Sequence, residues 1–435
     1  MNKETLELKD GIKAHLICTD KYKTDIACII LTTELKRESV TKNALIPFML
    51  KRGTQKYPSQ YKINVELDNM YGASFNCGVD KYGDNVVLKF FIETINNSYS
   101  FNNDNILEKS LNMLLDIVFD PVKENGHLSS DIFNSEKENL KKIIESKIDN
   151  KDAYALENCI SSMYGEEGFG LYKYGYVNDL DSITIQNLSE YYNWLIDNTK
   201  IDIFVSGDIS RENVKSILES NECLNKLKPR SSAYILNNES TESKQIVEKA
   251  REIKEEMNIS QGKLVIGLDI LEKKDNFIAT ALVYNAILGD GANSMLFQNV
   301  REKEGLAYSA RSSFIKQKSN IFIRCGIEIE NYKKALDKIK VQLDNIKNGK
   351  FSDEDIENAK IYLISGIKNI EEEQDTEIVY YIGQEISNTH KSVQKYIEDI
   401  KSVSKEDIIA IANSIQINTI YFLANWFEIM VISFP

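Results

Sequence analysis

The side chains best placed to do chemistry in this sequence are Arg301 and Tyr308, in the stretch AILGDGANSMLFQNVREKEGLAYSARSSF. A guanidinium and a phenol both donate hydrogen bonds, and at a separation of seven residues they can serve one acceptor if the chain turns between them. Gly305 supplies that turn, because glycine interrupts a helix at little steric cost. Charge-assisted and phenolic hydrogen bonds suit an acceptor on which negative charge develops during a reaction. The same residues also fit a structural role, with Arg301 paired to Glu302 or Glu304 and Tyr308 filling core space.

Other catalytic constellations are missing from the sequence. GDGANS is glycine-rich, but it follows a helix predicted to end at Leu288, whereas a dinucleotide fingerprint follows a strand. Gly289 and Gly291 are therefore interpreted as the exit from that helix. The six cysteines form no CxxC pair, and no Gly-x-Ser-x-Gly elbow is present. We interpret the three histidines as isolated residues, each on the surface or satisfied in the core: His15, His127 and His390.

The segment from Ala286 to Phe314 resembles the signature of the C-terminal half of the pitrilysin-like (M16) zinc metallopeptidases. In that family a helix ends at a Gly-rich turn, a short helix follows, and Arg-Glu-x-x-Gly-Leu-x-Tyr leads into a strand. The matching residues here are Leu296, Phe297, Arg301, Glu302, Gly305, Leu306 and Tyr308. The resemblance implies that Arg301 and Tyr308 bind the substrate backbone near the scissile peptide and help to polarise its carbonyl.

Active members of the family carry His-x-x-Glu-His in their first half, where the histidines ligate zinc and the glutamate activates water. In KNALIPFMLKRGTQKYPS the landmarks that follow this motif are present as Gly53, Thr54, Tyr57 and Pro58. Counting back from them, the three chemical positions are Ala44, Pro47 and Phe48. None of these side chains can ligate a metal or transfer a proton, and we expect Pro47 to disturb the helix. Glu145, in the helix that carries a further ligand in active relatives, is interpreted as a solvated residue.

The elements that must position these residues are predicted to occur twice. KYKTDIACIILTTEL and DNVVLKFFIETI alternate as half-buried strands do, whereas ENLKKIIESKI and YKKALDKIKVQLDNIKNG have helical spacing. SITIQNLSEYYNWLIDNTKIDIFVSGDIS corresponds to SVSKEDIIAIANSIQINTIYFLAN about 220 residues later, each a capped helix followed by a strand. Chance similarity between amphipathic helices is the alternative explanation.

The sequence therefore predicts an α+β fold with two homologous metallopeptidase-like (LuxS/MPP-like) domains, each a mainly antiparallel sheet with helices packed on it. We expect the domains at 1–222 and 258–435, with a polar linker at 223–257 that becomes helical toward its end. Such a linker allows the domains to face each other as a clamshell. The tail after Leu423 fits a last strand, an apolar cover or a partner contact.

The composition of the chain limits the classes of molecule that can be its principal partner. A net charge of −13 over 435 residues disfavours a nucleic-acid backbone or an anionic membrane surface as the principal partner. The start, MNKETLELKDGIKAH, lacks the apolar stretch of a signal peptide, and no segment approaches the roughly 20 apolar residues of a membrane-spanning helix. We therefore expect a cytoplasmic protein whose partners are polypeptides or small molecules.

In the resembled family a catalytic centre can be divided between a subunit with His-x-x-Glu-His and a second that lacks it yet supplies the Arg and Tyr. This sequence has the second pattern, similar in character to the bacterial YmfF-like members. The resemblance implies a related zinc-bearing partner subunit, a peptide or protein substrate, and no zinc or other cofactor in this chain. The alternatives are an inactive scaffold or peptide-binding protein, and an independent peptidase with relocated zinc ligands.

Overall fold

The computed structural model describes residues 3–101, 104–230, 244, 246–273 and 276–425. The chain forms two compact units, and each is assembled from three separate stretches of sequence. The first unit consists of Met1–Ser146, Glu167–Asn238 and Gln374–Ile386, and the second consists of Lys147–Glu166, Glu239–Glu373 and Ser387–Pro435. Each half of the sequence therefore contributes a segment to the unit of the other half.

Both units combine strands and helices, so the predicted α+β class is confirmed. The strands are β1 Lys3–Lys9, β2 Ile12–Cys18, β3 Thr24–Glu34, β4 Ser74–Tyr82, β5 Asn85–Ile95, β6 Lys123–Glu124, β7 His127–Leu128, β8 Lys200–Gly207, β9 Arg251–Glu256, β10 Gly262–Ile270, β11 Ala307–Ile315, β12 Asn320–Ile327 and β13 Ile415–Ala424. The helices are α1 Val40–Leu50, α2 Gln60–Asn69, α3 Ile106–Phe119, α4 Ser130–Glu145, α5 Lys151–Tyr164, α6 Val177–Leu180, α7 Ile185–Asn198, α8 Arg211–Ser220, α9 Glu222–Lys226, α10 Phe277–Leu288, α11 Tyr332–Lys347, α12 Asp353–Lys368, α13 Gln374–Ile386, α14 Val393–Lys401 and α15 Lys405–Asn413, and a π-helix covers Leu296–Lys303. Within the described part of the chain, no helix is both long and apolar enough to cross a membrane.

The sheet of the first unit has six strands in the order β1-β2-β8-β3-β5-β4. Neighbouring strands pair antiparallel, except that β2 and β8 run parallel with Ile12 opposite Ile201. The interior strand β3 is buried along nearly all of its 11 residues. Because successive side chains of a strand point to opposite faces, both faces of this sheet are covered.

The sheet of the second unit has five strands in the order β11-β12-β10-β13-β9. Its one parallel pair among the described strands is β13 with β9, and the other neighbours pair antiparallel. From the opposite edge, β9-β13-β10-β12-β11 repeats the order β2-β8-β3-β5-β4, including the position of the parallel pair. The strand order therefore shows the duplication that the sequence predicts.

The two predicted capped helices are present as α7 and α15. Thr184 accepts a hydrogen bond from the backbone of Asn187 at 3.2 Å, and the Asn187 side chain accepts one from the backbone of Thr184 at 3.2 Å. Ser404 and Asp407 form the same reciprocal capping box at the start of α15. These bonds satisfy backbone N–H groups that a helix start leaves without partners, and both helices lead directly into a strand.

The linker prediction is wrong at its C-terminal end. Arg251–Glu256 form the strand β9 instead of a helix, with Arg251 opposite Thr419 of β13. The sequence REIKEE lacks apolar alternation because β9 is an edge strand with mostly exposed side chains, and such charges discourage further pairing. The linker residues 231–243 and the tail residues 426–435 lie outside the described residues.

One helix of each unit comes from the opposite half of the sequence. Helix α5 packs on β10 and β13 of the second unit, whereas α13 packs on β3 and β8 of the first unit. The predicted boundaries of 1–222 and 258–435 do not include this exchange, and they stay predictions together with the clamshell arrangement. Three isoleucines of α13 cover one face of the six-stranded sheet, where they contact Ile17, Ile26, Cys28, Ile30, Val87 and Phe204.

The start of α13 is fixed to the first unit by polar contacts of Gln374. Its side-chain amide donates to the carbonyl of Ser206 at 3.0 Å and to the carbonyl of Thr24 at 3.1 Å. Its Oε1 accepts a hydrogen bond from the hydroxyl of Thr24 at 2.8 Å. The helix is thus held by hydrogen bonds at its first residue and by apolar contacts along its length.

We expect Ile382→Ala to destabilise the protein through lost packing of α13. Ile382 is 2% exposed, and truncation of a buried isoleucine to alanine costs about 2–5 kcal/mol. Val379→Ala is the matched control, because Val379 lies on the same helix but is 48% exposed and its truncation should stay within about 0.5 kcal/mol. The measurement is urea-induced unfolding of both variants, and equal losses would contradict the packing of α13 on the sheet.

Asp25 makes stability dependent on pH. Its carboxylate is buried in β3 and accepts hydrogen bonds from Asn96 Nδ2 at 3.0 Å on both oxygens, yet burial raises the pKa of Asp25 to about 6. An unfolded aspartate titrates near pH 3.9, so the stabilising contribution of this group is complete below about pH 4 and is lost as pH rises through about 6. The loss by pH 7 is about 3 kcal/mol.

Asp25→Asn should therefore raise the free energy of unfolding at pH 7 and flatten its decline between pH 4 and pH 7. The control is Asp20→Asn, since Asp20 is exposed and its substitution should leave the pH dependence as in the parent protein. Denaturant unfolding at a series of pH values measures both. An unchanged slope in Asp25→Asn would show that Asp25 is not the titrating group.

Candidate functional site

The three degenerate metal-motif positions all lie on helix α1 of the first unit. Ala44 is 1% exposed, and Phe48 is partly buried against the core of the unit. The expectation that Pro47 disturbs the helix is wrong, because α1 continues through Pro47 to Leu50. Pro47 lacks the N–H that would bond Asn43, but the following turn is intact, with the amide of Lys51 donating to the Pro47 carbonyl at 3.2 Å. The helix is retained as a packing element with apolar side chains.

The landmarks after the motif form a compact turn. The amide of Thr54 donates to the carbonyl of Tyr57, and the amide of Tyr57 donates to the Thr54 hydroxyl, both at 2.8 Å. A Cβ at Gly53 would lie 2.9 Å from Val122 Cγ2 and 3.0 Å from the carbonyl carbon of Pro58. Only glycine fits without displacement of these neighbours. The geometry of this turn therefore explains why these landmark residues are present, without any role in zinc binding.

Helix α4 carries a buried glutamate that the sequence analysis missed. Glu136 is 1% exposed, forms an ion pair with Arg52, and accepts a hydrogen bond from Asn139 at 3.3 Å. Glu145, by contrast, is exposed at the last residue of α4. The signal for Glu136 was its position on the apolar face, three residues after Phe133 and four before Leu140, which are both buried. The ion pair ties α4 to the segment that follows α1.

The prediction that the histidines are isolated is wrong for His15, which belongs to a buried polar cluster. Its Nε2 lies 2.8 Å from Asp202 Oδ1, and its Nδ1 lies 3.2 Å from the hydroxyl of Thr5 and 3.8 Å from Glu385 Oε1. Phe204 stacks on the imidazole with ring centroids 4.6 Å apart. His15 is satisfied in the core, as expected. His127 is partly buried and His390 is exposed.

Among the residues that the structure describes, one group has donor atoms that could hold a metal, because these atoms lie within 4.8 Å of one another: His15, Asp202 and Glu385. Each carboxylate already has a lysine partner: Lys3 pairs with Glu385, and Lys200 lies 3.1 Å from Asp202. Burial opposes ionisation of Asp202, but the hydrogen bond from His15 and the charge of Lys200 outweigh it and lower its pKa. The lysines thus supply the charge that a cation would supply, and a further cation would have to displace them.

The segment around Arg301 and Tyr308 lies entirely in the second unit. Helix α10 ends at Leu288 as predicted, and a Cβ at Gly289 would lie 2.7 Å from the backbone nitrogen of Ser312 in β11. The expected short helix is the π-helix Leu296–Lys303. Gly305 follows with φ +61°, a conformation that favours glycine, and the chain then enters β11. The π-helix packs against β11, so the two candidate side chains are on neighbouring elements.

Arg301 is 40% exposed, and one acidic side chain of the described part of the chain lies within salt-bridge distance of it. Its Nε is 3.6 Å from Glu302 Oε1, and its guanidinium carbon lies 4.5 Å from the ring centroid of Phe297. Glu304 is paired elsewhere, with Lys338 at 2.5 Å. The structural role considered for Arg301 is therefore observed in part, because Arg301 pairs with Glu302 and not with Glu304. That pair is long and exposed, so it contributes little to stability.

Tyr308 does not fill core space, because it is 60% exposed. It is the extra residue of a β-bulge: Ala307 lies opposite Ile327, and the next paired residue of β11 is Ser309, opposite Gly326. A bulge changes the direction of a side chain at the edge of a sheet. The phenol donates a hydrogen bond to Glu328 at 2.9 Å, and this bond raises the pKa of Tyr308.

Comparison with known protein families places residues 182–363 in a family described as "Peptidase M16 inactive domain". A Bacillus subtilis protein described as "Probable inactive metalloprotease YmfF" is 31% identical over 95% of this chain and 96% of its own length. Another protein of the same organism, described as an uncharacterized zinc protease, is 22% identical over 71% of this chain and 74% of its own length.

Solved structures agree with this relationship. A conserved protein from Enterococcus faecalis V583 is 28% identical and superposes with a TM-score of 0.87, covering 98% of this chain and 99% of that one. A Pseudomonas fluorescens structure described as a peptidase M16 inactive domain has a TM-score of 0.76 at 18% identity, covering 98% of both chains, and supports the fold alone. The chain therefore belongs to the M16 peptidase family, as a homologue of its inactive members.

Proposed function

We propose that this chain is the non-catalytic subunit of a heterodimeric M16-type zinc peptidase, in which it binds the peptide substrate and positions the scissile carbonyl. The observation that carries the proposal is the contrast between its two motif regions. The metal-motif positions of α1 hold apolar side chains packed toward the core, whereas Arg301 and Tyr308 keep hydrogen-bond donors at the surface. A ligand can reach both exposed side chains, and neither side chain is needed to fill the core.

In this proposal an extended peptide pairs with β11, which lies at one edge of the five-stranded sheet. Backbone hydrogen bonds to a sheet edge give affinity and tolerate many side chains, so the substrate is a peptide of broad sequence. Tyr308 is at the start of that edge, and Arg301 is on the π-helix packed against it. Both side chains donate to the carbonyl oxygen, where negative charge develops during attack.

Zinc belongs to the partner, a related subunit that carries His-x-x-Glu-His. The histidines of that motif would hold zinc, which would supply the activation of water needed for hydrolysis. The Bacillus subtilis relatives support such a pairing, because one organism contains both a probable inactive homologue and a protein described as a zinc protease. This chain contributes binding and orientation, which hold the carbonyl in place for the reaction.

We expect Arg301→Gln and Tyr308→Phe each to lower peptide turnover by the heterodimer about 100-fold, the usual effect of removing one donor to a developing oxyanion. The matched controls are Lys303→Gln on the same π-helix and Tyr362→Phe, whose hydroxyl bonds Asp290 instead. Turnover is measured with the reconstituted complex, and size-exclusion chromatography checks that assembly is unchanged. Normal turnover by the double variant would favour the scaffold function over the divided site.

Metal content tests the location of zinc separately. The isolated chain should contain no stoichiometric zinc after exposure to it and dialysis, whereas the complex should contain zinc that is lost when the partner's histidines are replaced. His15→Ala in this chain should leave the zinc content of the complex unchanged, because lysines already balance the carboxylates beside His15. Stoichiometric zinc in the isolated chain would instead support an independent peptidase.

A further inference from the structure

The phenol proton of Tyr308 is directed at a carboxylate. Tyr308 Oη lies 2.9 Å from Glu328 Oε1, and because a carboxylate only accepts, the phenol is the donor. A second glutamate, Glu330, lies close enough to raise the pKa of Tyr308 further, after the larger effect of the hydrogen bond to Glu328. The phenol therefore stays protonated at neutral pH, but its proton is engaged by an anionic acceptor.

Two local features place Glu328 beside Tyr308. The bulge at Tyr308 turns this side chain out of the alternation of β11, and Glu328 follows the last residue of the neighbouring strand β12. Glu328 also precedes the short 3-10 helix Ile329–Asn331, which fixes the backbone at this point. The contact thus joins the ends of two paired strands, and its geometry is set by backbone pairing.

Glu328 has no lysine or arginine partner within the described ranges, and neither has Glu330. Its hydrogen bond from Tyr308 is consequently a major interaction of this carboxylate. A hydrogen bond to a charged acceptor is stronger than one to a neutral carbonyl. An arriving peptide carbonyl has to compete with Glu328 for the same phenol proton.

We propose that Glu328 is a positioning residue for Tyr308: it holds the phenol at the edge of β11 in the free protein and yields it to the peptide carbonyl on binding. The inference rests on the proposed role of Tyr308 in substrate binding. No covalent bond changes, since the proton stays on Tyr308 Oη and only its acceptor is exchanged. Glu328 thereby fixes the orientation of the donor at some expense of peptide affinity.

The test is the variant Glu328→Gln in the heterodimer. The amide is nearly isosteric but neutral, so it competes less strongly for the phenol, and peptide affinity should rise about fivefold, with KM lowered and kcat changed less than about twofold. Affinity is measured with a fluorescein-labelled, unstructured peptide that the wild-type complex cleaves, on complexes whose partner has the motif Glu replaced by Gln. Glu330→Gln is the control, because it removes the same charge nearby without a hydrogen bond to Tyr308.

A second measurement follows the contact without activity. In protein labelled with carbon-13 at tyrosine, the signal of Tyr308 is identified by its loss in Tyr308→Phe, and its titration should move to lower pH in Glu328→Gln, and less so in Glu330→Gln. Unchanged affinity in Glu328→Gln, in a complex where Tyr308→Phe weakens binding, would overturn the positioning role and leave the proposed function intact. No effect of Tyr308→Phe on affinity would overturn the positioning role, and it would overturn the proposed function as well if turnover of that variant were also normal.

Discussion

Both faces of the six-stranded sheet have to be removed from water, and the N-terminal part of the sequence supplies helices for only one of them. Side chains of β3 that point to one face join the large core formed with α1, α3 and α7, whereas Ile26, Cys28 and Ile30 point to the other face and meet α13. Helix α13 is encoded more than 160 residues after the last strand of that sheet, β8. Burial of this face therefore depends on a helix from the C-terminal half of the sequence, so the N-terminal half alone does not contain every element of the first unit.

Each exchanged helix is also joined by polar contacts to the parallel pair of strands in its sheet. On α13, Glu385 reaches Lys3 and the His15–Asp202 pair, which lie on β1, β2 and β8. In the second unit, Tyr154 of α5 donates to Glu255 of β9 at 2.7 Å, and Tyr421 of β13 donates to the same carboxylate. Buried ion pairs add little net stability because desolvation is costly, whereas apolar contacts alone would accept several helix positions. These networks fix the position of each helix on its sheet.

Local signals in the sequence were sufficient for much of the fold. Thr184 and Ser404 identified helix starts because a cap uses neighbouring residues, and β3 and β5 are strands as predicted. The expectation that β3 is half-buried is wrong, because both of its faces are covered. The failures have non-local causes. REIKEE favours a helix by composition and becomes a strand only because β13 offers an edge, and Pro47 stays within α1 because tertiary packing holds the helix. The cluster around His15 could not be found in the sequence, because its carboxylates, Asp202 and Glu385, lie 187 and 370 positions away along the chain.

The residue types found in the two motif regions can be related to the place of each region in its unit. A polar metal ligand on the core-facing side of α1 would be buried, and without a metal it would leave a donor or acceptor unsatisfied at a cost of about 1–3 kcal/mol. In the absence of a metal, apolar residues such as Ala44 and Phe48 are the more stable choice at these positions. Arg301 and Tyr308 are exposed, so the fold gains nothing by replacing them and little by keeping them. The position of Tyr308 also depends on a β-bulge, which interrupts regular pairing between β11 and β12. Packing therefore accounts for the residues of α1 but not for Tyr308, whose exposed position fits the proposed contact with a peptide.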